Sequence, residues 1–260
     1  MKILSIIIVS LNTKKALKRT LKSCFQQDRK DVEIIVVDGL SNDGSVQEIL
    51  KFKNKISKII IQKDRGIYDA MNKGINICKS DWIIFMNSGD KFCNTNVVNR
   101  FKKFKKKDAD IIFGNTIIKN DKFRYLVEGS KFQKNSVLMP FCHQSTITKT
   151  KVLKKFLFNI KYNISADFDF FYRCLINNCN FKKYNDVIAE VSSGGLSDQK
   201  RQIVFNENIR ILKKYNKIRC IGILYCFKFL EILKSLIKII LPNFFINFIL
   251  FNKYKKKVLE

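Results

Sequence analysis

The sequence predicts an α/β domain on a mainly parallel central sheet flanked by helices, with a smaller antiparallel part and amphipathic helices at the C-terminus. Three observations predict it. Apolar β-branched runs alternate with helical periodicity through the first 90 residues; after residue 107 the strands shorten and turn signals crowd together; and the last forty or so residues are apolar, with charges at helical spacing. At 260 residues, 46% hydrophobic and 28% charged, the chain has length for one large domain with an appendage.

Residues 3–9 form a first strand, and Asn12 and Thr13 cap a helix that runs to about Gln27 with Leu17, Leu21 and Phe25 on its apolar face. The unit repeats as strand 32–37, loop 38–44 and a helix from Ser45, then as strand 56–61, loop 62–66 and helix 67–78. A fourth strand, 82–86, ends at Asn87-Ser88-Gly89-Asp90. Such continuous apolar strands suit a parallel sheet covered on both faces. Shorter strands follow at 111–113, 116–118 and 123–127, then a helix from Ala166 to about Asn177, strands at 181–184 and 187–191, and a Ser-Ser-Gly-Gly loop at 192–195. The second half reads as mixed and mainly antiparallel. Residues 1–215 therefore make one domain, with halves 1–107 and 108–215, and residues 216–260 a basic appendage.

Fifty Lys and Arg against 22 Asp and Glu give a net charge of +28. The apolar content excludes a disordered polycation. Lysines are spread along the chain without a nucleic-acid-binding motif, so no specific nucleic acid is predicted as a partner. Eight cysteines show no CxxC and no Cys/His ligand spacing, which predicts reduced thiols. In the appendage, Lys228, Glu231, Lys234 and Lys238 share one helical stripe on an otherwise apolar stretch, and Lys253 and residues 255–257 add charge. The longest charge-free stretch, 239–252, contains Pro242 and is too short to span a bilayer. Two readings stand for this segment: a helix lying on an anionic membrane surface, or one packed on protein.

Acidic residues are scarce, yet Asp38, Asp43, Asp64 and Asp90 fall in loops at the carboxyl ends of the predicted strands, the edge where open α/β sheets bind ligands. Asp38 can accept hydrogen bonds from a base or ribose, or form a turn that caps the next helix; Asp43 suits the capping role better. Arg65 is suited to a phosphate, and Asp69 and Asn72 follow on the next helix. Asp167 and Asp169, two apart at a helix start, cannot point the same way. His143 is the chain's single histidine. A nucleotidyltransferase would carry a Gly-rich, Arg-containing loop after the first strand, whereas residues 10–14 are Ser-Leu-Asn-Thr-Lys.

The segments IIVVDGLSNDGS (34–45), KDRGIYDAMNKGI (63–75), FMNSGD (85–90), HQS (143–145) and SADFDFFYRCL (165–175) occur in one order. In that order the chain resembles the family-2 glycosyltransferases of the GT-A fold, in the subgroup that assembles bacterial capsule, O-antigen or colanic-acid-like polysaccharide. The resemblance covers about the first 200 residues. It implies an inverting transferase that takes a nucleoside-diphosphate sugar, with UDP favoured. The donor residues it implies are Ser10, Asn12, Asp38, Asp64, Arg65, Asp69, Asn72, Asn87 and Ser88. It implies Asp167 as general base, and Mn²⁺ or Mg²⁺ held at Asp90 and His143. The acceptor it implies is a glycan, on a lipid diphosphate carrier, at the cytoplasmic inner face of the cell membrane, with the enzyme peripheral; the oligomeric state stays open. The chain departs from the family at Gly39 and Leu40, where a second Asp and a glycine are frequent, at Asn87 and Gly89, where Asp is frequent, and at Ala166, where Glu is frequent. The alternative is a non-catalytic membrane-surface scaffold or polyanion-binding protein on the same fold.

Overall fold

The computed structural model of the chain describes residues 2–105, 108–120, 123–240 and 258–259. The N-terminal half runs β1 (Leu4–Ser10), α1 (Lys14–Phe25), β2 (Val32–Asp38), α2 (Ser45–Lys51), β3 (Lys58–Ile61), α3 (Ile67–Ile77) and β4 (Trp82–Phe85). Three of its strand pairings, β4 to β1, β1 to β2 and β2 to β3, are parallel. Every residue of β1 and β2 is buried, because successive side chains enter different cores: Ile7 and Val9 face one, Leu4, Ile6 and Ile8 the other. The expected α/β architecture with helices on both faces is what forms.

Helix α3 lies unusually close to β1. A Cβ on Gly74 would come within 2.7 Å of Ile7 Cγ2, so only glycine lets the helix seat this deeply. That seating fixes Tyr68 and Asp69, one turn along α3, against the carboxyl ends of the strands.

The second half comprises β5 (Lys91–Phe92), α4 (Val97–Phe104), β6 (Ile111–Lys119), β7 (Arg124–Val127), β8 (Thr146–Lys149), α5 (Thr150–Phe156), α6 (Ala166–Ile176), β9 (Phe181–Ser192), α7 (Leu196–Gln199), α8 (Arg201–Lys214), α9 (Ile218–Ile240) and β10 (Val258–Leu259). Sequence reading missed β5, α4, β8, α5, α7, α8 and β10, and it divided two strands that are continuous. β6 joins the predicted 111–113 and 116–118 segments, and β9 joins 181–184 and 187–191, because register shifts around Asn115 absorb the irregular residues without ending the pairing. β8 pairs antiparallel with both β4 and β6, and β7 and β5 are also antiparallel to their partners, but the long β6–β9 pairing is parallel. The second half is thus mixed and mainly antiparallel, as expected.

Helix α9 packs on the body by its Cys220 side. Cys220 and Leu224 are buried, and Lys228 Nζ on the same side donates to Asn206 on α8 at 2.8 Å. Ile218, Ile223, Tyr225, Phe229, Leu230, Ile232 and Leu233 are left exposed. Lys228 of the predicted stripe thus turns toward α8, while the exposed apolar side chains turn out. The predicted 241–252 part of the charge-free stretch, Lys253 and residues 255–257 lie outside the described residues. No described helix is long and apolar enough to cross a membrane. All eight cysteines are free thiols.

Candidate functional site

A cleft of about 550 Å³ opens at the carboxyl ends of β1 and β4. Six of the predicted residues line it: Ser10, Asp64, Arg65, Asp69, Asn87 and Ser88. Tyr68, Ile160, Tyr162, Asn163 and Leu196 also line the cleft, and sequence reading had not assigned them. Asn12, Asp38, Asn72, Asp90, His143 and Asp167 do not line it. A second cleft of similar size, at Lys134, Lys217 and Arg219, lies at the α8–α9 junction and contains no carboxylate.

Asp38 is wholly buried, and its two oxygens accept from Ser41 N (2.7 Å) and Ser41 Oγ (2.8 Å). In this arrangement it forms the turn, with each oxygen accepting one bond from Ser41. Asn12 binds the same loop: its N–H donates to Ser41 Oγ (2.8 Å) and its Oδ1 accepts from Asn42 N (2.9 Å). Asp43 accepts from Lys14 N at the start of α1 and from Ser45 N and Oγ at the start of α2, so one carboxylate caps two helices. Those bonds hold its carboxyl below the usual carboxylate range. Leu40 takes a left-handed φ of 67° that a side chain adopts at a cost of about 1–2 kcal/mol.

In the loop after β3, Asp64 Oδ1 accepts from Gly66 N at 2.9 Å. Asp69 Oδ2 accepts from Arg65 N at 3.1 Å, and its carboxylate lies 3.6 Å from the Arg65 guanidinium and 3.5 Å from Lys73 Nζ. Asp69 thus anchors an arginine whose side chain stays mostly exposed, free to meet a phosphate. Asn72 is fully used elsewhere: its Nδ2 donates to Phe158 O (2.8 Å) and its Oδ1 accepts from Phe158 N (2.9 Å). Rather than facing the donor edge as expected, it holds the chain between α5 and α6 against α3.

The turn after β4 is built around Thr20. Its hydroxyl donates to Asp90 O (2.7 Å) and accepts from Gly89 N (2.9 Å). Ser88 Oγ donates to Val9 O (3.0 Å), tying the turn to β1. Asn87 Oδ1 is buried without a partner among the described residues. Asp90 is buried, accepts from Gln144 Nε2 at 2.9 Å, and is pushed up to about 7 by burial. His143 sits in an aromatic cage, its ring 5.2 Å from Phe85 and 5.6 Å from Phe158. Burial lowers it to about 4, so it is neutral at pH 7, and neither ring nitrogen finds a hydrogen-bond partner among the described residues. The pairing of Asp90 with His143 expected for a metal gives way to one with Gln144, one residue on. No group of three or more His, Cys, Asp and Glu converges among the described residues. One carboxylate and the orphan Asn87 oxygen are hard donors that fit a cation held chiefly by diphosphate and water.

Asp167 opens α6. It is half-buried; burial pushes its carboxyl up to about 6 against the lowering bonds from Phe168 N (2.8 Å) and Tyr68 Oη (3.2 Å). Tyr68 also approaches Ile164 O at 2.5 Å, and its other side lines the cleft, so Asp167 connects with the cleft through this tyrosine. Asp169 points away into a buried ion pair with Arg173 Nε (2.8 Å), whose remaining nitrogens donate to Phe156 O and Leu157 O.

Glu207, on α8, escaped the sequence reading. Buried to 4% exposure, it accepts from Asn163 N (2.8 Å), Ile164 N (3.0 Å) and Ser165 N (2.8 Å), the residues leading into Asp167. The sequence signal was slight: an acid set beside Asn208 among Phe205, Ile209 and Leu212, all of which are buried.

The sequence profile of Glycosyl transferase family 2 matches residues 5–176. A PGL/p-HBAD biosynthesis glycosyltransferase of Mycobacterium bovis is 29% identical over 204 residues, 75% of this chain and 78% of that protein. The Escherichia coli UDP-Glc:alpha-D-GlcNAc-diphosphoundecaprenol beta-1,3-glucosyltransferase WfaP is 31% identical over 124 residues, 46% of this chain and 49% of its own. Among solved structures, Staphylococcus aureus TarS 1-349 in complex with UDP-GlcNAc superposes with a TM-score of 0.62 at 16% identity, over 86% of this chain and 72% of that one. The mannosyltransferase PcManGT from Pyrobaculum calidifontis, in complex with GDP-Man and Mn²⁺, gives 0.63 at 12% identity over 87% and 69%. These likenesses bear out the GT-A fold, and with two-thirds of its length under the family profile the chain belongs to glycosyl transferase family 2.

Proposed function

We propose that this glycosyltransferase moves a sugar from a nucleoside-diphosphate sugar, a UDP-sugar by preference, to a hydroxyl of a glycan acceptor, with inversion at the anomeric carbon. The observation that carries the reading is one cleft at the strand ends that gathers Asp64, Arg65, Asn87 and Ser88 beside a carboxylate of raised pKa at Asp167. The acceptor oxygen forms its bond to the anomeric carbon as the bond to the diphosphate breaks; the hydroxyl proton passes to Asp167 and the electron pair leaves with the nucleoside diphosphate. Arg65 meets the charge that grows on that leaving group. Mn²⁺ or Mg²⁺, held by Asp90 with the Asn87 oxygen and with His143 as the further candidate ligand, would neutralise part of it. The neighbours bound to UDP-GlcNAc and GDP-Man, and the WfaP acceptor named as a diphosphoundecaprenol, support the donor class and a lipid-linked glycan in surface polysaccharide synthesis.

The test is calorimetric titration of UDP, GDP and their sugars, with and without Mn²⁺. Binding of one nucleotide series, weakened about tenfold or more when Arg65 is changed to alanine, is expected. Absence of binding to any nucleotide would favour the scaffold reading.

Residues 1–215 serve as the catalytic domain in this reading. From 216 onward the appendage docks at the cytoplasmic face of the membrane through the outward apolar face of α9, with the net charge of +28 drawing it to anionic lipid. Phe229→Glu with Ile232→Glu in the full chain is expected to abolish flotation with anionic vesicles and leave the melting temperature unchanged. Undiminished flotation of that variant would remove α9 from the anchoring role.

A further inference from the structure

The cap that ends α6 brings two cysteines together, away from the cleft. We propose that Cys174 and Cys179 form a redox-modification site: Cys179 reacts with a hydroperoxide, and Cys174 then closes a disulfide with it.

The backbone makes the pair. Asn178 takes a left-handed φ of 57°, Cys179 N donates to Cys174 O at 3.0 Å, and Asn178 N donates to Leu175 O at 3.2 Å. These are the two bonds of a Schellman cap, in which the side chain two positions past the helix end packs on one from its last turn. That contact is ordinarily apolar, whereas here both partners carry a thiol. A direct N–H···O bond between the two residues brings their Cα atoms to the separation that a disulfide bridges, about 4.4–6.8 Å.

The two sulfurs are unequal. Cys174 is wholly buried and Cys179 partly exposed. The Cys174 S–H donates to the Cys179 sulfur and holds that thiol below its ordinary value; burial and Asp110 oppose this, and Lys155 and Lys151 add to it. Burial pushes the Cys174 thiol up. The accessible sulfur is therefore the better thiolate, and the buried one is placed to resolve what forms on it.

With hydrogen peroxide, the Cys179 thiolate attacks one oxygen, the O–O bond breaks, the departing oxygen takes a proton to leave as water, and Cys179 becomes a sulfenic acid. The Cys174 sulfur then attacks the Cys179 sulfur, the S–O bond breaks, and hydroxide leaves with the Cys174 proton as a second water. Two thiols lose two electrons, and one peroxide is reduced to two waters. The bond ties the end of α6, the helix that Asp167 opens, to the chain entering β9.

The test is mass spectrometry of the full chain, reduced, exposed to hydrogen peroxide, alkylated with iodoacetamide in denaturant and digested with trypsin. Cleavage after Arg173 and Lys182 releases residues 174–182, which hold both cysteines and no third. This peptide is expected to lose two hydrogens and take no alkyl group, about tenfold faster or more than the exposed Cys226 loses its alkylation. Dithiothreitol should restore both alkyl groups. Cys174→Ser should stop at a sulfenic acid on Cys179, captured by dimedone. Two alkyl groups on 174–182 of the wild type once Cys226 has been oxidised, or dimedone capture at Cys174 in Cys179→Ser as fast as at Cys179 in Cys174→Ser, would overturn the inference. The wild-type measurement stands even where a variant fails to fold.

Discussion

Asp167→Asn is expected to lower kcat by about 10²–10⁴-fold and to leave nucleotide affinity within about twofold, because the carboxylate takes the acceptor proton but lies outside the lining of the donor cleft. In the wild type, activity should rise with pH through about 6, where Asp167 gives up its proton, and the asparagine variant should lose that limb. The same substitution should stabilise the protein at neutral pH. Burial raises the folded pKa of Asp167 above the unfolded value of 3.8, so the native state keeps the proton longer. The stability this confers is fully present below about pH 4 and is lost as pH rises through 6. Removing the ionisable group should then raise unfolding free energy by up to about 3 kcal/mol at pH 7 and by almost nothing at pH 4. Thermal melts at the two pH values measure the difference. Wild-type turnover in Asp167→Asn would take the residue out of the base role.

The second large effect is expected at Glu207. One buried carboxylate satisfies three successive backbone N–H groups, and its charge also raises the Asp167 pKa, by less than burial does. Glu207→Ala should cost about 3–5 kcal/mol, since three donors lose their partner in a buried setting. Glu207→Gln keeps an acceptor and removes the charge. It should fold, lower kcat more than it changes KM, and move the acidic limb of the pH profile below 6. A variant that melts lower while its pH profile and kcat hold would show that Glu207 supports the fold alone and has no part in positioning Asp167.

Strands β1, β2 and β4 were legible because a two-sided buried strand writes itself as an apolar run, as in residues 6–9, 34–37 and 82–85. Their loops were legible because acids in a chain of net charge +28 need a reason to stand together at one edge. Direction was not legible. Asp38 and Asp64 look alike in sequence, yet Ser41 holds the first inside its loop while the second lines the cleft. Asn72 and Asn87 differ in the same way: one is consumed by the backbone at Phe158, the other left with a bare oxygen. Helix α8 stayed hidden because its buried face carries Glu207 and Asn208, polar residues whose partners lie some 40 to 70 positions upstream. No local pattern records such a pairing.

The carboxylate that arranges Asp167 is made about thirty residues after the last position of the family profile, on the far side of an exposed stretch at 192–200. Every recognisable motif is thus synthesised before Glu207, and with Asp167 as the proposed base the nascent chain is expected to stay inactive until α8 has been made and docked. A protease that cuts within 192–200 would restore that inactivity without removing a single motif residue, and activity lost this way would return only if the severed α8 stayed bound.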